Sequence, residues 1–240
     1  MNNPVVLLTG TIDPQNMIFT KITDKDFRKN QYIDSIKFWL KETKCKIIFV
    51  ENSNNDISPY FEDALNSFRL EILCFNGNTY SREVGKGYGE LLCIEYALKN
   101  SKILKTSNFV FKITGRHKVL NFLPFFERYD KNKDLDLLLD FNKNLTFCDS
   151  RIFGFTPVFF YDYLYKYKNS LNDTNGVYFE HILAKASLIA ISQGLKYLPF
   201  PSSPKIKGIS GSNNIKYDLN NFEFFKNSIK FKLKSYLIEQ

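Results

Sequence analysis

The sequence predicts an α/β protein built on a mostly parallel central sheet flanked by helices. Three observations carry that prediction. Through residues 1–118, short apolar runs alternate with segments of helical periodicity, in the order strand, helix, strand, helix, strand, loop, helix, strand. Such alternation calls for βαβ units joined by right-handed crossovers. Hydrophobic residues make up 44% and charged residues 24% of 240 positions, a balance that supports a packed core. No internal repeat and no Pro-rich or Ser-rich linker divides the chain.

The elements follow in order. Pro4–Leu8 is an apolar strand that breaks at Thr9-Gly10-Thr11-Ile12-Asp13-Pro14. Asp24–Lys44 reads as a helix with Ile33, Ile36 and Leu40 in phase, and Thr23 with Asp26 as its capping pair. Lys46–Val50 is the second strand, running into Glu51-Asn52-Ser53. A weaker helix covers Ser58–Ser67, and Leu70–Phe75 is the third strand. A turn-rich loop, Asn76–Gly89, leads to a helix from Glu90 to Asn100 with Leu91, Ile94 and Leu98 on one face. Phe109–Ile113 is the fourth strand and ends abruptly in Thr114-Gly115-Arg116-His117. Beyond it, Leu135–Leu139 and Arg151–Thr156 read as strands, and Pro157–Tyr167 as an aromatic helix. A turn at Asn172–Gly176, a helix over Val177–Gly194, a short strand at Leu195–Leu198 and a loop over Pro199–Asn214 complete this half.

The charge balance selects partners. A net charge of +8 and an isoelectric point near 9.1 favour anions. Lysines are spread along the chain and no zinc-finger spacing or RNP-type motif occurs, which argues against a nucleic-acid binder. Residues 221–240 read as a basic amphipathic helix in which Lys226, Lys230, Lys232 and Lys234 interleave with Phe224, Phe225, Ile229, Phe231, Leu233 and Leu237. Such a helix suits either an acidic membrane surface or packing on the domain. Four cysteines without close pairing make no disulfide framework, and two histidines without a CxxC make no zinc site. The first residues lack a basic n-region, and no run approaches the roughly 18–20 apolar residues of a membrane span. The expectation is a cytoplasmic protein, with peripheral contact at the inner face of the cytoplasmic membrane as the alternative to a C-terminal helix packed on the domain.

Three polar loops leave the same predicted sheet edge: Thr9-Gly10-Thr11, Glu51-Asn52 and Thr114-Gly115-Arg116. Ligands of open α/β sheets bind beyond the carboxyl ends of the strands, so these residues are the expected contacts for a nucleotide. Arg116 carries a planar fork that matches phosphate oxygens. In Gly85-Lys86-Gly87-Tyr88-Gly89-Glu90, three glycines flank a lysine just before a helix, an arrangement that favours anions, although it is neither a dinucleotide fingerprint nor a P-loop. Lys86 and Gly87 therefore join the expected anion contacts. Glu180 and His181 stand among Val177, Tyr178, Phe179, Ile182 and Leu183, where a carboxylate can serve as a base. Asp149, beside Arg151, is a sugar-hydroxyl ligand or half of a local ion pair.

Taken together, Leu-Leu-Thr-Gly-Thr-Ile, Phe-Val-Glu-Asn-Ser, Gly-Lys-Gly-Tyr-Gly-Glu, Phe-Lys-Ile-Thr-Gly-Arg, Asp-Ser-Arg and Tyr-Phe-Glu-His resemble a bacterial glycosyltransferase type found in capsule, O-antigen and lipooligosaccharide assembly. The resemblance runs from Val5 to about Ser212. It implies a GT-A-like, Rossmann-type fold in one domain over 1–220, with a nucleotide-binding half (1–118) and a mixed acceptor half (119–220). It implies a nucleotide-sugar donor, a UDP-sugar in the first instance, and a glycan or polyprenyl-linked acceptor. By analogy with inverting members, Glu180 is the base, with Asp149 and His181 as the other catalytic candidates. The GT-A pattern places Asp-x-Asp after the fourth strand to hold a divalent metal, whereas this chain has Thr114-Gly115-Arg116. The expectation is a guanidinium, joined by Lys86 or Lys112, on the donor diphosphate in place of the metal and no required cofactor, with Mn2+ or Mg2+ as the alternative that Asp136, Asp140 and Asp149 keep open. The competing expectations are a non-enzymatic nucleic-acid-binding protein and another nucleotide-dependent transferase. A methyltransferase would want more than the one glycine of Thr9-Gly10-Thr11.

Overall fold

The near-continuous Val, Ile, Leu and Phe runs become strands buried on both faces, as a mostly parallel sheet requires. A computed structural model describes residues 4–15, 17–209, 216, 217, 224, 228, 229, 231, 233 and 236. In chain order the first half contains β1 (Val5–Gly10), α1 (Lys25–Glu42), β2 (Ile47–Glu51), α2 (Glu62–Asn66), β3 (Leu70–Cys74), α3 (Lys86–Asn100) and β4 (Val110–Thr114). The second half adds β5 (Lys118–Val119), α4 (Leu123–Asp130), β6 (Leu137–Leu139), the hairpin β7 (Phe141–Asn142) and β8 (Phe147–Cys148), and β9 (Ile152–Phe155). It closes with α5 (Pro157–Phe159), α6 (Phe179–Ser192), β10 (Tyr197–Pro199), β11 (Ile206–Ile209) and β12 (Lys216–Tyr217).

Seven strands form one sheet in the order β10-β6-β9-β4-β1-β2-β3. All neighbours are parallel except β9, which runs antiparallel between β4 and β6. The α/β class and the mostly parallel sheet are those the alternation predicts. The reversal of β9 is not legible in the sequence, because Ile152-Phe153-Gly154-Phe155 reads the same in either direction. A smaller sheet, β12-β11-β5, lies beside the main one. Its strand β11 falls inside the segment expected to be a loop.

Successive residues of β4 point to opposite faces. Phe111 meets Phe122 (ring centroids 5.1 Å apart), which in turn meets Trp39 of α1 (5.0 Å), so α1 and the start of α4 cover one face. Lys112 points the other way, toward Glu90 of α3 and the Phe179 ring of α6. The Trp39 indole N–H donates to the His117 carbonyl at 3.1 Å, pairing its buried polar atom.

Several boundaries differ from the expectation. Asp24, not Thr23, caps α1, accepting from the Phe27 amide at 2.8 Å. Helix α3 starts at Lys86, four residues before the periodicity begins. Its first turn contains Gly87 and Gly89, where a Cβ would stand 2.9 Å from Phe179 Cβ and 2.3 Å from the Tyr80 hydroxyl. Close packing, not loop flexibility, accounts for those glycines. The segment read as one aromatic helix is α5 followed by a π turn (Phe160–Leu164) and a 3-10 stretch (Tyr165–Ser170). In the basic C-terminal segment, residues 224, 228, 229, 231, 233 and 236 are helical, and Phe231 is buried against Phe200 (6.2 Å). Phe225, Leu237 and the four lysines of that segment lie outside the described residues.

Candidate active site

The carboxyl ends of β1 and β4, the N-termini of α3 and α6, and the start of β9 converge on one cleft of about 250 Å³. Because β9 is antiparallel, its leading residues Ser150 and Arg151 arrive at the same edge as Thr9-Gly10-Thr11 and Thr114-Gly115-Arg116. The loop from β1 to α1 covers one side with Pro14, Met17 and Thr20.

Gly115 determines where Arg116 goes. Its amide donates to the Thr9 carbonyl at 2.8 Å, and an added Cβ would lie 2.6 Å from that oxygen. Only glycine lets the turn after β4 rest on the end of β1. Arg116 Nη1 donates to the Ile209 carbonyl at 3.1 Å. Its Nε is buried with no hydrogen-bond partner among the described residues. A buried guanidinium N–H gains from an acceptor, and Arg116 lines the cleft.

At the start of α3, Asp173 supplies a cap from far along the chain, its Oδ2 accepting from the Lys86 amide at 3.1 Å. Gly85 makes the approach possible, with φ +80° and a position where a Cβ would fall 2.0 Å from the Asp173 carboxylate. Burial pushes the Asp173 carboxyl up to about 6, against the pull of Lys86 and with a further push from Glu180. Burial lowers the pKa of Lys86, whose Nζ donates to the Phe19 carbonyl at 3.1 Å.

Beneath the cleft, Lys112 is fully buried. Its ammonium pairs with the Glu90 carboxylate and donates to the Ser150 carbonyl at 2.7 Å. Glu90 also accepts from Thr9 Oγ1 at 3.3 Å. The Ser150 hydroxyl donates to Glu180 Oε1 at 2.7 Å. Lys112 is thus the hub that ties β4 to α3 directly and to α6 through the residue ahead of β9. Arg151 lines the cleft and is gripped by Asp149 at 2.9 and 2.7 Å. Burial opposes its charge, but the bidentate pair outweighs it and the pKa is raised. Arg28 of α1 lines the cleft while donating to the carbonyls of Thr11 and Ile22, and burial lowers its pKa.

The structure therefore brings Thr9, Gly10, Thr11, Lys86, Gly87, Thr114, Arg116 and Glu180 into one cleft. It sets the other sequence-derived candidates behind the lining. The Glu51 carboxylate accepts from the amides of Ile12, Ser53 and Asn55 and from the Ser53 hydroxyl, organising the loops after β1 and β2. Asn52 accepts from Thr11 Oγ1 at 2.7 Å. Lys112 lies below the floor and Gly115 behind the Thr9 backbone, while Asp149 is turned onto Arg151. His181 Nδ1 accepts from the Tyr178 amide at 3.3 Å, and its ring packs between Phe147 and Tyr178. Sequence reasoning passed over Arg28, Ser150, Tyr178 and Tyr217 as lining residues, and took Arg151 only as the partner of Asp149. Arg28 left a trace: it precedes Tyr32, Ile36 and Trp39 by four, eight and eleven residues, a cation in phase with the buried stripe of α1.

Each carboxylate that lines the cleft is engaged by a protein group. Glu90 faces Lys112, Asp173 caps α3, and Glu180 accepts from Ser150. Among the described residues no group of three or more His, Cys, Asp or Glu converges.

No protein-family model matches the chain, and no curated protein matches it in sequence. Among solved structures it is similar to a cytidylyltransferase from Leptospira borgpetersenii serovar Hardjo-bovis, at 10% identity over 94% of this chain and 84% of that one, with a TM-score of 0.43. It is also similar to a 4-diphosphocytidyl-2C-methyl-D-erythritol synthase from Anaerococcus prevotii, at 14% identity over 95% and 99%, with a TM-score of 0.38. A CMP:2-keto-3-deoxy-manno-octonic acid synthetase complexed with CTP matches at 10% identity over 82% and 89%, with a TM-score of 0.37.

Proposed function

We propose that this protein is a GT-A-like glycosyltransferase that moves a sugar from a nucleotide-sugar donor, a UDP-sugar in the first instance, to a glycan or polyprenyl-linked acceptor in bacterial surface-polysaccharide synthesis. The observation that carries the reading is one cleft that holds both Arg116, whose Nε has no hydrogen-bond partner among the described residues, and Glu180. A cation that needs an anionic acceptor and a carboxylate that can take a proton are the two groups that inverting transfer to a hydroxyl demands.

In this reading Glu180 removes the proton as the acceptor oxygen attacks the anomeric carbon. The bond from that carbon to the diphosphate breaks, and its electron pair leaves with the diphosphate. Arg116, Arg151 and Lys86 meet the developing charge in place of a metal. Ser150 holds Glu180 in line through its 2.7 Å hydrogen bond. Among the described residues no helix is long and apolar enough to cross a membrane. We place the enzyme in the cytoplasm, at the inner face of the membrane that carries its acceptor.

The test is a thermal-shift panel of UDP, GDP, CMP, CTP and their sugars, with manganese or with EDTA. A nucleotide diphosphate at a hundredfold excess over Kd adds about 2.7 kcal/mol, or roughly 5–10 °C for a chain of this size. The expected result is a shift that survives EDTA and disappears in Arg116→Ala, together with sugar transfer. Pyrophosphate release from CTP without sugar transfer would make the protein a nucleotidyltransferase. Salt-sensitive RNA binding without any nucleotide shift would make it a nucleic-acid binder.

A further inference from the structure

We propose that the Tyr178 ring is the platform on which a pyranose of the acceptor stacks, which makes Tyr178 a specificity-determining residue; this rests on the glycosyltransferase reading above. Tyr178 lines the cleft and is 39% exposed, and aromatic side chains are the usual lining of ligand pockets. It is also held rigidly. Its ring stacks on His181 with centroids 5.5 Å apart and planes at 28°. His181 in turn meets the Phe147 ring edge-on at 5.4 Å, and Lys143 sits over Phe147 at 4.2 Å from its centroid. The Tyr178 amide donates to His181 Nδ1, fixing the backbone beneath the stack.

The His181 ring therefore packs on the tyrosine, and Tyr178, a partly exposed residue of the cleft lining, stands two residues before Glu180. A flat surface with two restrained torsions binds at low entropic cost. The ligand that fits such a surface beside a base is a ring with an apolar face and a reactive hydroxyl at its rim. A pyranose chair can have that form: its axial C–H bonds alternate between the two faces, so that H1, H3 and H5 of a β-galactoside make one face apolar, and most of its hydroxyls project around the edge. Stacking on Tyr178 would bring a rim hydroxyl toward Glu180. It also gives His181 a function through Tyr178 and not through proton transfer.

The experiment is saturation-transfer NMR with methyl β-D-galactopyranoside, methyl α-D-mannopyranoside and methyl β-D-N-acetylglucosaminide, in the presence of UDP and with sorbitol as an acyclic control. Wild type is expected to transfer saturation to the axial protons of one face of at least one pyranoside and not to sorbitol. Tyr178→Phe should retain that pattern. Tyr178→Leu, which keeps bulk but loses flatness, should weaken binding at least tenfold. Unchanged binding in Tyr178→Leu, equal saturation of both sugar faces, or no pyranoside binding to wild type would overturn the assignment. UDP binding separates the two readings. If wild type and Tyr178→Leu both bind UDP while the pyranoside result fails, only the platform is wrong. If wild type binds no nucleotide, the parent reading has failed.

Discussion

Lys112→Met tests the hub beneath the cleft. Methionine keeps an unbranched apolar stem against Phe153 and Phe179, whose ring centroids lie 5.6 and 5.9 Å from Nζ, so little packing is lost. The substitution deletes the ion pair to Glu90 and the hydrogen bond to the Ser150 carbonyl. Removing one partner of a buried pair costs about 3–5 kcal/mol. Here the Glu90 side chain keeps 19% exposure, so water recovers part of that cost. The expected loss is about 2–4 kcal/mol, which for a chain of this size lowers Tm by roughly 5–15 °C. Adding Glu90→Gln removes the stranded charge, so the double variant should be at least about 1 kcal/mol more stable than the sum of the singles. Chemical denaturation of the four proteins reads both numbers. A single variant within about 0.5 kcal/mol of wild type, or strict additivity, would show that Lys112 does not hold Glu90 in solution.

Three further outcomes follow from the same geometry. Glu180→Gln should lower kcat by at least about a hundredfold while leaving donor Kd within a few-fold, since a general base contributes to the chemical step and not to nucleotide binding; turnover kinetics beside a nucleotide titration separates the two. Asp173 carries a carboxyl raised from 3.8 to about 6, so the native state holds its proton more tightly than the unfolded chain does. Its contribution to stability is complete below about pH 4 and is lost as pH rises to about 6; Asp173→Asn should remove that segment of the Tm-versus-pH curve. Gly85→Ala combines an unfavourable φ with a Cβ 2.0 Å from Asp173 Oδ2, and should destabilise by at least about 2 kcal/mol, read by denaturant midpoint.

Much of the scaffold was legible because the relevant physics is local. The runs at Val5–Leu8 and Ile47–Val50 are apolar throughout and read as buried strands, and the period of α1 is plain. The elements that escaped notice depend on distant partners. Strand β11 reads as a loop until Lys118 and Val119 pair with Lys207 and Ile206. The first turn of α3 reads as a glycine-rich loop because its cap, Asp173, is 87 residues away.

The site divides the same way. The sequence alone determined that Thr9-Gly10-Thr11 and Thr114-Gly115-Arg116 stand at one sheet edge, because strand ends in a βαβ arrangement share a direction. It also showed that this edge carries a cation, Arg116. Only the tertiary structure decided which charged residues are spent inside the protein. Lys112 and Glu51 look like binding groups by residue type, yet both are consumed by partners contributed from other elements. Arg28 and Tyr178 look structural, yet both line the cleft. A side chain's chemistry is local, but its availability depends on what the rest of the chain packs against it, and that is fixed by contacts between residues far apart in sequence.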